Sequence, residues 1–252
     1  MVHFVDEKSI VRKIWGNADT ILFIFAGASS DFALNKAVDW LYFTGRLPAD
    51  PIGRLFSTVG YARKIVFAKH DEALRAIDQI TAIHKNVETS RGSAIPDWAY
   101  RDVLYMLIDY SIRAFEVLER ELTEDEKTEV FKVFNSVGQR MGIKELPDNF
   151  DDWQADRRKH LEADLEYSNL TRDLYKQYRK HLGVARYVLL TKVQALICPP
   201  NVRLLLSFKG ISFITPMLTL YRLLRFCKMN NIVKSIILPE QYQAQIVALN
   251  VK

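Results

Sequence analysis

The chain is 252 residues long, with 49% hydrophobic, 26% charged and 12% aromatic residues. That composition excludes an intrinsically disordered chain. Ten glycines and eight prolines exclude a collagen-like or Pro/Gly-rich one. Two cysteines, Cys198 and Cys227, build neither a disulfide framework nor a CxxC metal knuckle. The formal charge of +5 hides an asymmetry, for residues 171–252 carry thirteen Lys/Arg against Asp173 and Glu240, a net +11, while residues 1–170 are net −6.

The start of the chain is charged, and its first apolar run, residues 21–28, is too short to span a bilayer, which takes about 20 apolar residues. The sequence is therefore read as lacking a signal peptide. The longest oily stretch, residues 204–226, is interrupted by Lys209, Gly210, Pro216, Arg222 and Arg225. A core helix pair or a membrane-surface segment fits it better than a transmembrane helix. With unpaired cysteines and no export signal, a cytoplasmic location is expected.

The hydrophobic spacing predicts helices almost throughout. A short entry helix covers residues 6–15. A longer one, residues 20–43, carries Ala and Gly among its apolar residues and is expected to bend or break near Gly27–Ser30. Residues 45–51, with one glycine and two prolines, read as a loop, and Pro51 suits the first turn of a helix over 52–67. Leu55, Val59, Ala62 and Val66 share one face of that helix. Asp71 is the expected N-cap of a helix running to residue 89. Its stripe of Ala73, Ile77, Ile80, His84 and Val87 steps by four and three. After a loop at 90–96, helices are expected over 97–121 and, opened by the capping box Thr123-Glu-Asp-Glu126, as far as Met141 and Gly142. A turn at 147–153 precedes a charged helix over 152–181. From Gly183 apolar and basic residues alternate, with breaks at Cys198-Pro-Pro200, Gly210 and Pro239. The reading is an all-α single domain over 1–252 with a basic helical C-terminal portion at 171–252.

Three constellations offer chemistry. Of the five histidines, His3, His70, His84, His160 and His181, only His84 lies on an apolar stripe at core spacing. It is either a hydrogen-bonded core residue or an iron ligand. Ile80 and Glu88 flank it at four residues, so no second histidine completes a zinc or di-iron pair. A haem needs only one proximal histidine, and without CxxCH that haem would be non-covalent. Arg54 and Thr58 share a helix face close to the apolar stripe. A guanidinium there needs an anion, either a carboxylate such as Asp50 or Asp39 or a bound anionic cofactor or oxygen. Asp109 and Arg113 form a third i,i+4 pair, read as structural. GxGxxG, P-loop, HExxH and GxSxG motifs are absent, which leaves nucleotide-phosphate, zincin and serine-hydrolase chemistry without support.

Three segments in register, Asp50-Pro-Ile-Gly-Arg-Leu-Phe-Ser-Thr58 leading to Val66-Phe-Ala68, Ile83-His-Lys-Asn-Val87 leading to Gly92, and Leu107-Ile-Asp-Tyr-Ser-Ile-Arg-Ala-Phe-Glu116, resemble the mpaB/rubber oxygenase catalytic-domain family over about residues 10–165. The resemblance implies a globin-like helical core holding haem b, with His84 as the proximal iron ligand and Arg54 and Thr58 beside the haem. It also implies dioxygen-dependent cleavage of a carbon–carbon double bond in an apolar isoprenoid. Ser57 stands where the rubber oxygenases carry a lysine, and Leu104 where many members carry a histidine. Asp39 is the acid nearest in spacing to the rubber enzymes' catalytic acid.

The expected function is a haem b-dependent oxygenase acting on an apolar unsaturated substrate with dioxygen. Phe23, Phe25, Phe56 and Phe67 are candidate pocket walls. The alternatives are a haem-dependent dehydrogenase or peroxidase-like enzyme, and a non-enzymatic helical haem-binding or membrane-surface protein. Basic residues in 172–186 follow no base-reading motif, so nucleic acid is disfavoured. An anionic membrane surface is the expected partner of the basic third.

Overall fold

A computed structural model describes residues 2–208, apart from the side chain of Leu55. Its elements are α1 (Ile10–Trp15), α2 (Ala18–Leu34), a 3-10 turn (Lys36–Val38), α3 (Asp39–Phe43), α4 (Arg46–Ala49), α5 (Pro51–Phe67), α6 (His70–Arg91), α7 (Asp97–Leu118), α8 (Glu124–Met141), α9 (Phe150–Ala163), α10 (Asn169–Ile197) and α11 (Pro200–Leu205). No strand forms among the described residues, and the all-α class stands. The expected breaks at Gly210 and Pro239 lie outside the described residues, as do Cys227 and most of the oily stretch 204–226.

The order of packing starts from α2. It is apolar on nearly every side, and such a helix belongs in the interior. It lies against α7 and α10, with α1, α5 and α11 closing its remaining sides. α8 packs outside α7 and against α1 and α6, and α5 lies along α6. Trp15, Ile21, Ile24, Tyr105, Tyr110, Phe131 and Tyr178 are sealed in this main core. A smaller cluster, Ile65, Ala73, Ala76, Ile77 and Val137, joins α5, α6 and α8.

Several boundaries differ from expectation, each for a local reason. The first helix starts at Ile10, because the Ser9 side chain accepts from the Val11 N–H and caps it. α2 runs unbroken through Gly27–Ser30. The glycine there serves a close approach, since a Cβ on Gly27 would stand 2.1 Å from a ring carbon of buried Tyr110. Ser29 and Ser30 turn their hydroxyls back onto the Ala26 and Gly27 carbonyls and so cause no break. The helix ends instead at Asn35. The segment 45–51 holds the short helix α4, entered from Gly45 with φ of 68°. α6 begins at His70, so Asp71 sits in its first turn and does not cap it. The charged stretch 152–181 is two helices. Leu165 bridges to Asn35, and Ser168 with Thr171 builds a capping box for α10. Pro51 at the start of α5, the Thr123/Glu126 box and Gly142 at the end of α8 stand as read.

The interior also holds charge. Arg157 of α9, 4% exposed, donates from Nη2 to Asp31 of α2 and from Nε to Asp109 Oδ2 of α7 at 3.2 Å. Arg113 Nε donates to Asp109 Oδ1 at 2.6 Å, so the expected 109/113 pair forms and belongs to this larger network. Burial opposes the Arg157 charge, but Asp31 and Asp109 outweigh it and raise its pKa. Burial raises the pKa of Asp31 against the pull of Arg157.

Replacing Arg157 with Leu leaves Asp31 and Asp109 without their shared cation, and a loss of about 3–5 kcal/mol is expected in urea denaturation. Gly27→Ala is expected to cost about 1–3 kcal/mol by overpacking against Tyr110. Gly60→Ala, where a Cβ meets open space inside α5, should stabilise by up to about 1 kcal/mol.

Candidate functional site

Two neighbouring helices carry the candidate residues. Asp50 caps α5 by accepting from the Gly53 N–H at 2.9 Å, and Pro51 occupies its first turn. Arg54 and Thr58 follow one turn apart. The Arg54 guanidinium donates from Nη1 to Thr58 Oγ1 at 2.7 Å, and the Thr58 hydroxyl lies 3.4 Å from the Arg54 carbonyl, to which it donates. Thr58 thus fixes the guanidinium against its own helix. Arg54 has no carboxylate partner among the described residues, and burial, with Arg46 as a like charge, lowers its pKa.

His84 lies on α6, which packs on α5. The N-terminal half of its stripe is sealed, with Ala73 and Ile77 at 0% exposure. The other half, Ile80, His84 and Val87, is only partly covered. The His84 ring meets Tyr100 edge-on, with centroids 5.2 Å apart and planes at 83°. Its Nδ1 is buried with no hydrogen-bond partner among the described residues. Burial and then the Arg54 charge lower the His84 pKa, while Glu88 raises it. The imidazole is therefore held neutral, with a lone pair to offer. The structure brings Arg54, Thr58 and His84 into one neighbourhood.

Sequence reasoning missed the scaffold of that histidine. Glu88 Oε1 accepts from the Tyr100 hydroxyl at 3.1 Å and from the Ile95 N–H at 2.9 Å, which ties the end of α6 to the start of α7. Glu88 is one turn beyond His84, and that spacing was the available signal. Asp39 does not reach Arg54. It accepts from Arg91 Nη2 at 2.6 Å, and Arg91 stacks over Trp40 at 4.0 Å. Leu104 is core, packed over Gly138, and Ser57 is exposed. Phe25 and Phe56 pack edge-on at 5.2 Å between α2 and α5, and Phe23 is partly buried against the main core. Phe67 is held at the far end of α5 by Arg12 and Arg63.

These features define an all-α protein in which a neutral histidine and an arginine with no carboxylate partner among the described residues occupy adjacent helices. The chain belongs to the family described as ER-bound oxygenase mpaB/B'/rubber oxygenase, catalytic domain, whose profile matches residues 13–229. Membership implies oxygenase activity. Neither the comparison with curated proteins nor that with solved structures returns a match. No helix of the described residues is long and apolar enough to cross a membrane.

The lowered pKa gives a pH dependence with a definite sign. The unfolded chain binds a proton at His84 near pH 6.5, and the folded chain binds it only at lower pH. The stability involved is present above about pH 6.5 and is lost as pH falls through the folded pKa. An NMR titration should place the His84 transition below the ordinary histidine range, and Arg54→Gln should move it upward.

Proposed function

We propose that the chain is a haem b-dependent oxygenase acting on an apolar unsaturated substrate of the isoprenoid class with dioxygen. The observation that carries this reading is the buried, unpartnered Nδ1 of a neutral His84 beside a half-buried Arg54. Both are costly in a protein interior unless a bound group meets them. A non-covalent haem fits both needs, with His84 as its iron ligand and Arg54 facing a propionate or another anionic group. The bound haem iron would supply the redox chemistry that activates dioxygen. Thr58 holds the Arg54 guanidinium in place, and Tyr100 limits the tilt of the His84 ring. Phe25 and Phe56 pack α2 against α5, the helix that carries Arg54 and Thr58.

One observation favours a different haem reaction. An exposed serine and a core leucine stand at the two positions where the resemblance leads one to expect lysine and histidine. A dehydrogenase or peroxidase-like oxidation needs neither group. Protein purified with haem supplied should show a Soret band that His84→Ala abolishes or shifts; no band in the wild type overturns both readings. Carbonyl cleavage products from an unsaturated terpenoid and oxygen would then separate cleavage from the other oxidations.

The basic third is proposed to meet an anionic membrane surface that delivers apolar substrate. Arg172, Lys176, Arg179 and Lys180 are exposed along α10, followed by Val184 and Val188 at 61% and 46% exposure. Each basic residue near such a surface is worth about 1 kcal/mol. Neutralising the four should abolish co-sedimentation with phosphatidylserine vesicles and leave haem absorption intact. Unchanged sedimentation would count against the membrane partner.

A further inference from the structure

A second cluster of chemistry-bearing side chains lies in the layer between α7 and α9, outside the neighbourhood of His84. Asp156 and His160 share one face of α9, Asp164 follows four residues on as its C-cap, and Asp102 faces them from α7. His160 Nδ1 lies 2.5 Å from Asp102 Oδ1 and 3.1 Å from Asp164 Oδ2. Its Nε2 lies 3.6 Å from Asp156 Oδ2. Asp102 and His160 are buried, at 1% and 8% exposure, and the Asp164 side chain is 18% exposed.

The arrangement has more acceptors than protons. One imidazole nitrogen faces two carboxylate oxygens, and a single N–H satisfies one of them. Three carboxylates converge on one imidazole. Lys36 and Arg101 act on Asp164 only through space: their hydrogen bonds go to the Ala163 carbonyl, at 2.7 Å, and to Glu145 and the Lys144 carbonyl. Buried negative charge in excess of its partners is costly, and a cation relieves it. The donor atoms of Asp102, His160 and Asp164 all lie within 4.8 Å of one another. A small outward movement of each would give the ~2.0–2.2 Å bonds that zinc makes to imidazole and carboxylate.

The surroundings match those of a ligand set. Asn35 Nδ2 donates to the other oxygen of Asp102 at 2.5 Å, and Asn35 Oδ1 in turn accepts from the Ala37 N–H at 2.8 Å. The Tyr105 hydroxyl donates to Asp156 at 2.7 Å, and its ring stands edge-on to His160 at 5.3 Å. Outer contacts of this kind orient metal ligands. The partly exposed Asp164 leaves a route of entry and a place for water to complete the coordination.

We propose that Asp102, His160 and Asp164 bind one divalent transition-metal ion of the zinc or manganese class, which clips α7 to the end of α9. The mixed imidazole and carboxylate set selects that class over a thiophilic metal. The site is independent of His84 and of any haem.

The test uses the full chain, stripped with EDTA and titrated with Zn2+ by calorimetry, with Co2+ absorption as a second reading. One equivalent of Zn2+ is expected, together with a rise in Tm and Co2+ bands of nitrogen and oxygen coordination. Asp164→Asn at the rim should weaken Zn2+ binding by about tenfold or more, with its fold checked by circular dichroism. His84→Ala should bind Zn2+ as the wild type does. In the wild type itself, Zn2+ should shift the His160 ring-nitrogen resonances. No Zn2+ or Mn2+ binding, binding that Asp164→Asn leaves unchanged, or binding without a shift at His160 would each overturn the site and leave a purely structural His160–aspartate network.

Discussion

The structure is organised around a guanidinium buried away from solvent. Arg157 enters from α9 and is met by Asp31 of α2 and Asp109 of α7, and Asp109 is shared in turn with Arg113. Apolar packing alone leaves helices free to slide and rotate at small cost. A buried ion network does not, because a slip of one turn would strand a charge in the interior. Three helices that are far apart in the chain thereby acquire one register. Around the same point the Ser30 hydroxyl meets the Cys198 thiol at 2.8 Å, and Gln194 donates to Ser29 at 3.0 Å, which adds α10 to the fixed set. Burial raises the Cys198 pKa to about 12, so this thiol is a packing group and carries no thiolate.

The candidate site depends on that frame at one remove. α5 leans on α2 through Phe56 and Phe25, and α6 is held by α5 and α8 through the Ile65, Ile77 and Val137 cluster. His84 lies beyond this cluster, where the stripe of α6 is no longer sealed. Its orientation comes from α7 through Tyr100 and Glu88. Burial, and after it the Arg54 charge, favour the neutral imidazole. His84 therefore sits where the sealed core ends, and a group at that edge can meet a ligand in place of a protein partner.

Local signals were legible in the sequence. Pro51, the Thr123/Glu126 box and Gly142 act within one turn of themselves, and each marked a helix end. Arg54 and Thr58 at i,i+4, and His84 on its stripe, needed only helical periodicity to be placed on faces. The misreadings concern tertiary context. Gly27 reads as a helix breaker in isolation, yet it is the hollow that admits Tyr110 from a helix about eighty residues on. The stretch 152–181 keeps a charged helical pattern across Asp164–Ser168, which is interrupted by backbone pairing of 164–166 with 34–36 and by the Ser168/Thr171 box. Asp31 and Arg157 are 126 residues apart, and neither announces a partner.

The same reasoning explains why one histidine stood out and another did not. His84 is surrounded in sequence by apolar residues at core spacing, so its polarity is the anomaly. His160 is surrounded by Asp156, Arg157, Arg158, Lys159 and Asp164, and a run of charges reads as a solvated face. In the fold that face is buried, because α9 turns it towards Asp102 and Tyr105 of α7. Charge density along a sequence cannot separate a solvated face from a buried polar network, since the two differ only in what lies opposite. The i,i+4,i+8 spacing of Asp156, His160 and Asp164 was present all along. It acquires meaning once a third carboxylate, Asp102, from a helix some fifty residues away, closes the face against water.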